Sequence, residues 1–266
     1  MMNLIKADFY KINRSIIYKI LFIVSAVCAV ITTIVSHSVD AGNMDMASAA
    51  STAMLTDVVM LNLINCVMAG QLICGDFENK LIQSALTGTG SRLTLVCAKM
   101  ATYTALVGIM SLPYALCTLI GTAMQSGFCA PFSASTYLKM LFDATSADFS
   151  AAMLLKYLVI CVIMMLVYTA QAGIVFLLGF LIKNKPLIVT AFGFVISTII
   201  GMTSSLIAGD STADKLLEFT PYGADVYALG NDSTAGTLVK VTLICLAFIA
   251  AYTAISYAAF KKAEVK

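Results

Sequence analysis

TAMLTDVVMLNLINCVMAGQLIC, residues Thr52 to Cys74, runs directly into GDFENKLIQSALTGTGSR, residues Gly75 to Arg92. The first piece is an apolar run as long as the roughly 20 residues a helix needs to cross a bilayer. In the second, Phe77, Leu81, Ile82 and Ala85 fall at i, i+4, i+5 and i+8. That spacing gathers them on one face of a short helix over Asp76–Ala85 and leaves the charges on the other. Gly88 and Gly90 then end it. A span followed by a short amphipathic surface helix can lie on lipid or dock into a groove of a soluble partner.

Outward from this pair lie further apolar runs, with no convincing internal repeat. A 19-residue hydropathy window finds apolar stretches at Ser15–Ser36, Thr52–Cys74, about Leu95–Met124, Met153–Ile182, Leu187–Ala208 and Thr237–Phe260. Six apolar runs separated by polar punctuation predict an all-α integral membrane protein, a single transmembrane domain over residues 1–266. A transmembrane barrel would instead show segments of about 10 residues with alternating polarity. Composition agrees: 60% of the 266 residues are hydrophobic, 11% are charged, and mean hydropathy is +0.94, against roughly 25% charged in soluble domains. The first stretch is longer than the 7–15 residues of a signal-peptide core and has no A-x-A site before Asp40, so it is expected to stay as a span.

Lysine and arginine set the orientation, since cationic loops stay on the cytoplasmic side. With the N-terminus inside, twelve of the sixteen basic residues face the cytoplasm, among them Lys6, Lys11, Arg14, Lys19, Lys80, Arg92, Lys99, Lys183 and Lys266, while ten of the fourteen acids face out. Both termini are expected to be cytoplasmic.

The same residues exclude several chemistries. A net charge of +2 is no footprint for nucleic acid, which needs a clustered basic face. The one histidine, His37, cannot build a multi-histidine metal site, and the eight cysteines form no CxxC pair and read as small buried hydrophobes. Gly88-Thr89-Gly90-Ser91-Arg92 is not a phosphate-binding loop, because that motif ends in Gly-Lys and no Gly-Lys dipeptide exists in the chain. The chain is therefore expected to bind no cofactor of its own and to catalyse nothing.

Four polar side chains interrupt the second span: Asp57, Asn62, Asn65 and Gln71. Such groups turn toward the bundle interior or water. Asn62, Asn65 and Gln71 either line a translocation path or hydrogen-bond between helices. Asp57, near the outer end, is expected to be solvated.

Asp76, Glu78, Ser91, Arg92 and Lys99, set around the amphipathic run, together resemble the cytoplasmic loop of ABC transporter permeases of the second type. The opening Asn3-Leu4-Ile5-Lys6-Ala7-Asp8-Phe9-Tyr10-Lys11 resembles the start of small bacterial permeases of that kind, including the bacitracin and lantibiotic immunity group. One departure is Asn79-Lys80, where the family commonly has Gly-Thr. The resemblance implies a homodimer or heterodimer of six-helix permease subunits in the cell membrane, exporting an amphipathic or peptide-like substrate. It implies a separate cytosolic ATPase carrying ATP and Mg, docked through Asp76, Phe77, Glu78, Lys80, Leu81 and Arg92, with a ridge of Phe77 and Leu81 inserted into the ATPase. It also implies that the stretch Leu216–Leu229 dips back into the outer leaflet. That stretch is too apolar for a solvated loop and too broken to span, so a re-entrant hairpin around Phe219, Pro221, Tyr222 and Gly223 is expected. The competing readings are an ion-coupled secondary carrier using Asp57, which would normally show repeated halves, and a non-catalytic subunit of a membrane enzyme assembly.

Overall fold

The computed structural model describes residues 1–89, 91–124, 127–129, 135–145, 150–182, 185–207 and 217–262. Among them the regular elements are all helices: α1 Met2–Arg14, α2 Ile16–Asp40, α3 Met46–Ala50, α4 Asp57–Glu78, α5 Leu81–Thr89, α6 Arg92–Met124, α7 Thr136–Thr145, α8 Ala151–Gln171, α9 Gly173–Ile182, α10 Pro186–Ile207, α11 Ala224–Tyr227 and α12 Ala235–Lys262. A single 3₁₀ turn, Ala53–Leu55, precedes α4.

Five helical stretches are long and apolar enough to cross a membrane: α2, α4, α6, α8 with α9, and α12. A sixth, α10, has 22 residues and is apolar from Pro186 to Gly201. At about 1.5 Å per residue it reaches roughly 33 Å, the thickness of a hydrocarbon core. Helices thus occupy all six apolar stretches, with shifted ends. The second begins at Asp57, because Thr52–Thr56 is spent in the 3₁₀ turn and an extended N-cap, and it continues past Cys74 to Glu78. Ala208, Lys183, Lys266 and Leu216 lie outside the described residues.

Ser15 separates α1 from α2. Its extended backbone (φ −77°, ψ 129°) breaks the helix, while its N–H closes the end of α1 on the carbonyls of Lys11 and Ile12. This lets α1 turn away from the axis of α2 and bury only Asp8 and Ile12.

The packing centre is α4. Of its most apolar stretch 67% is buried, against 44% or less in the other four long stretches, and it lies against α2, α6, α8, α9 and α10. A helix enclosed this way is where polar side chains avoid lipid at least cost, so the asparagines sit on it. Small residues permit the close approach. A Cβ at Gly70 would stand 2.5 Å from the Thr190 hydroxyl and 3.1 Å from the Pro186 carbonyl oxygen of α10. One at Gly179 of α9 would lie 3.1 Å from Ile73. The outward faces are apolar, with Ile16, Ile23 and Ile34 on α2, Leu155 and Val162 on α8, and Val239 and Leu243 on α12 all exposed. Patches this extensive suit lipid rather than water. All eight cysteines are free thiols, four buried and four half-buried.

Successive spans alternate in direction, and long-range contacts define two ends. At one end α1, the end of α4, α5, the start of α6 and the end of α12 meet. At the other, the start of α4, α7, the middle of the chain at Tyr168 and the segment 217–231 meet.

Filling the α4–α10 contact tests this packing. Gly70→Ala is expected to lower stability by about 1–3 kcal/mol, the usual cost of overpacking. Adding Thr190→Ala should recover only part of the loss, because the Pro186 carbonyl stays. Thermal unfolding in detergent micelles reads both.

Candidate functional site

The segment expected to form one helix over Asp76–Ala85 is two. Asp76, Phe77 and Glu78 are the last turn of α4, and α5 starts afresh at Leu81. The break comes from Asn79 and Lys80. The Asn79 side chain and backbone N–H both donate to the Gly75 carbonyl, at 2.7 and 3.1 Å, and Lys80 adopts a left-handed φ of 56° with its N–H on the Phe77 carbonyl. This is a C-terminal cap of the kind usually given to glycine. For lysine the left-handed backbone costs about 1–2 kcal/mol.

Splitting the helix divides the expected ridge. Phe77 turns inward, with ring centroids 6.0 Å from both Phe180 and Phe260, themselves 5.5 Å apart. This edge-to-face trio pins α4, α9 and α12 together. Leu81 points out, 42% exposed, while Ile82 is buried and Ala85 and Leu86 pack on the core. The outward face of the junction is therefore Glu78, Asn79, Lys80, Leu81, Gln83, Ser84 and Thr87. Phe77 is not on it.

Nor is Asp76. Its carboxylate is buried, one oxygen accepting from Lys11 of α1 and the other from Lys99 of α6. Lys99 Nζ also donates to Asp8 Oδ1 of α1 at 2.6 Å. Two carboxylates and two ammonium groups thus close a neutral cluster across three helices, with the Lys99 side chain 5% exposed. Asp8 Oδ2 has no hydrogen-bond partner among the described residues. Burial and the neighbouring Lys99 ammonium pull Lys11 down to about 8. Desolvating each ion costs several kcal/mol, which only pairing offsets. The cluster therefore holds α1 to the end of α4 with little tolerance for a missing member. Asp8 and Lys11 carried no signal as partners in the sequence. Lys99 did, since a lysine inside an apolar stretch needs a counter-charge nearby.

Arg92 also works inside the protein. Its guanidinium donates to the carbonyls of Phe260 and Lys261 at 2.8 Å and stands 5.4 Å above the Phe260 ring. Those carbonyls belong to the last turn of α12, where a cation meets the negative end of the helix dipole.

At the opposite end Asp57 is buried, not solvated. It accepts hydrogen bonds from Ser135, from the Tyr168 hydroxyl at 2.7 Å and from the Tyr137 backbone N–H at 3.5 Å. Ser135 and Tyr137 open α7, so the carboxylate sits between the N-termini of α4 and α7, where the helix dipoles favour an anion. Asn62 is committed as well. Its Oδ1 accepts from Ser197 of α10 at 3.0 Å, and Ser197 lies 2.9 Å from the Tyr222 hydroxyl. Tyr222 lies 2.9 Å from the Gln171 carbonyl, and Gln171 Nε2 donates to the Pro221 carbonyl at 2.9 Å. Pro221, Tyr222 and Gly223 are thereby buried against α4, α8 and α10, while Phe219 stays 65% exposed. Asn65 is buried, with neither side-chain amide atom hydrogen-bonded among the described residues, and Gln71 is half-buried. Among the described residues no group of histidine, cysteine or acidic side chains has the geometry to hold a metal ion.

A family model described as ABC-2 family transporter protein matches residues 4–199, well over half of the chain and including α1, the charge cluster and the α4–α5 junction. No curated protein matches.

A double-mutant cycle tests the cluster. Lys99→Gln leaves Asp8 and Asp76 facing each other and is expected to cost about 3–5 kcal/mol. Combining it with Asp8→Asn should cost clearly less than the sum of the two single changes, read as unfolding midpoints in micelles.

Proposed function

Because the chain belongs to the ABC-2 transporter family, we propose that it is the membrane-spanning permease subunit of an ABC exporter and draws its work from a separate cytosolic ATPase. The observation that carries this reading is the end of the bundle where α1, α4, α5, α6 and α12 meet. It presents an exposed face at Glu78, Lys80 and Leu81, backed directly by the Asp8–Lys99–Asp76–Lys11 cluster and the Phe77 trio. A push on α5 therefore meets a stiff junction and passes into α4, the helix that packs against α2, α6, α8, α9 and α10. Asp76, Phe77 and Arg92 act from within that junction, and the exposed residues make the contact.

This end is the cytoplasmic one. Lys6, Lys11, Arg14, Lys19, Lys80, Arg92 and Lys261 gather there, and cationic segments stay inside. Both termini then face the cytoplasm. The docked segment around Pro221 and Tyr222 lies in the outer leaflet, with Phe219 toward lipid. ATP and Mg belong to the partner chain. A second permease subunit, identical or homologous, completes the transporter, and the substrate is amphipathic or peptide-like, peptide antibiotics being the class that the resemblance to immunity permeases favours. Asn65 and Gln71 are the better candidates for a path, because Asn62 is taken up by helix-to-helix bonding.

Leu81→Glu separates docking from folding. It is expected to leave the unfolding midpoint unchanged and to weaken copurification of the ATPase by roughly thirtyfold, as loss of an apolar hot spot of about 2 kcal/mol does. Phe77→Ala should instead lower the midpoint, since it empties the aromatic trio. Wild-type ATPase recovery with Leu81→Glu removes the docking role of α5.

A further inference from the structure

Between α1, α2 and α6 lies a groove of about 620 Å³, within the range of about 300–1,000 Å³ common to small-molecule sites. Its walls are Phe9 and Ile12 of α1, Phe22 and Ile23 of α2, and Leu106 and Ile109 of α6. Phe22, Ile23 and Ile109 are 39%, 61% and 37% exposed, so the groove opens sideways toward the bilayer. Its mouth, at the bend between α1 and α2, is polar. Asn13 and Lys19 line it, and the Arg14 guanidinium stands 5.1 Å over the ring of Tyr10, another lining residue.

We propose that this groove holds an acyl chain of an anionic phospholipid, whose headgroup is met by Lys19 and Arg14. The shape and the charge point the same way. An apolar cleft on the lipid-facing side of the bundle with cations only at its interfacial rim matches one molecule having a chain and an anionic head. Neither cation is paired with a carboxylate among the described residues, because Asp8, the acid of α1, is committed to Lys99. A basic side chain near a membrane surface favours anionic lipid by about 1 kcal/mol, close to fivefold in occupancy. The bend at Ser15 that creates the groove also sets the angle of α1, so the lipid would wedge the helix carrying half of the charge cluster. This inference does not rest on the transporter reading, and its test needs no ATPase.

The chain has no tryptophan, so Phe22→Trp supplies a single fluorophore in the groove wall, and Val162→Trp, on the exposed face of α8, supplies a lipid-facing control. Each variant of the full chain is placed in phosphatidylcholine nanodiscs containing an equal small fraction of acyl-brominated phosphatidylglycerol or acyl-brominated phosphatidylcholine. The expected result is that quenching of Phe22→Trp reports at least fivefold preference for the anionic lipid, while Val162→Trp reports none. Lys19→Gln with Arg14→Gln should abolish the preference and Lys19→Arg should keep it. Equal quenching by the two lipids at Phe22→Trp overturns the proposal, as does a preference that survives loss of both cations. Quenching of Val162→Trp without any at Phe22→Trp overturns it too, since the groove is then filled by protein. Ile109→Trp, on the opposite wall, repeats the measurement should Phe22→Trp fail to fold.

Discussion

An ammonium group inside a packed bundle stays charged only if counter-charges surround it, and Lys99 has two, Asp8 and Asp76. Much of the basic end of the protein follows from that requirement. Asp76 must sit at the end of α4 with its carboxylate turned inward, which draws Phe77 toward Phe180 and Phe260 and leaves Glu78 outside. Asp8 must come down onto α6, which fixes α1 against the bundle together with its apolar Leu4, Phe9 and Ile12. Lys11 balances the second oxygen of Asp76. The cluster is neutral as a whole and unforgiving of single losses, and it ties α1, α4 and α6 together beside the apolar contacts they share.

The opposite end answers the same constraint with hydrogen bonds instead of ion pairs. Asp57 is satisfied by two hydroxyls and a backbone N–H at the meeting of two helix N-termini. The chain Asn62–Ser197–Tyr222–Gln171 seats the segment before α12 on the bundle. Central α4 therefore carries one polar anchor near its start, one a turn and a half later and one at its end. The helix that ends at the α4–α5 junction thus also holds the elements of the opposite end in place.

The membrane architecture was legible from apolar run lengths alone, because a helix enclosed by lipid and protein tolerates little else. The polar character of α4 was legible too, whereas the Leu216–Leu229 stretch read only as a re-entrant hairpin in lipid, and the bonds that seat Pro221 and Tyr222 on α8 and α10 come from distant residues. Partnerships were not. Asp8 and Lys99 are 91 residues apart, and nothing in the local pattern of either names the other. The break at Lys80 was hidden because a lysine stands where a left-handed cap normally shows glycine, so periodicity ran through it and joined Phe77 to Leu81 on a single face. Asp57 looked solvated because its position near a span end was visible, while the Ser135 and Tyr168 that cover it come from distant segments.

The central claim is that α1 and the end of α4 are one mechanical unit held by buried charge. Native-state hydrogen exchange of the wild-type chain in lipid nanodiscs, resolved over Met2–Arg14 and over the last turns of α4, measures this without altering a residue. Segments that open together exchange with one free energy. The account predicts a common opening free energy for Ala7–Ile12 and Gly75–Glu78. Fast exchange throughout α1, as in a helix merely resting on the lipid surface, beside a protected end of α4 would contradict it.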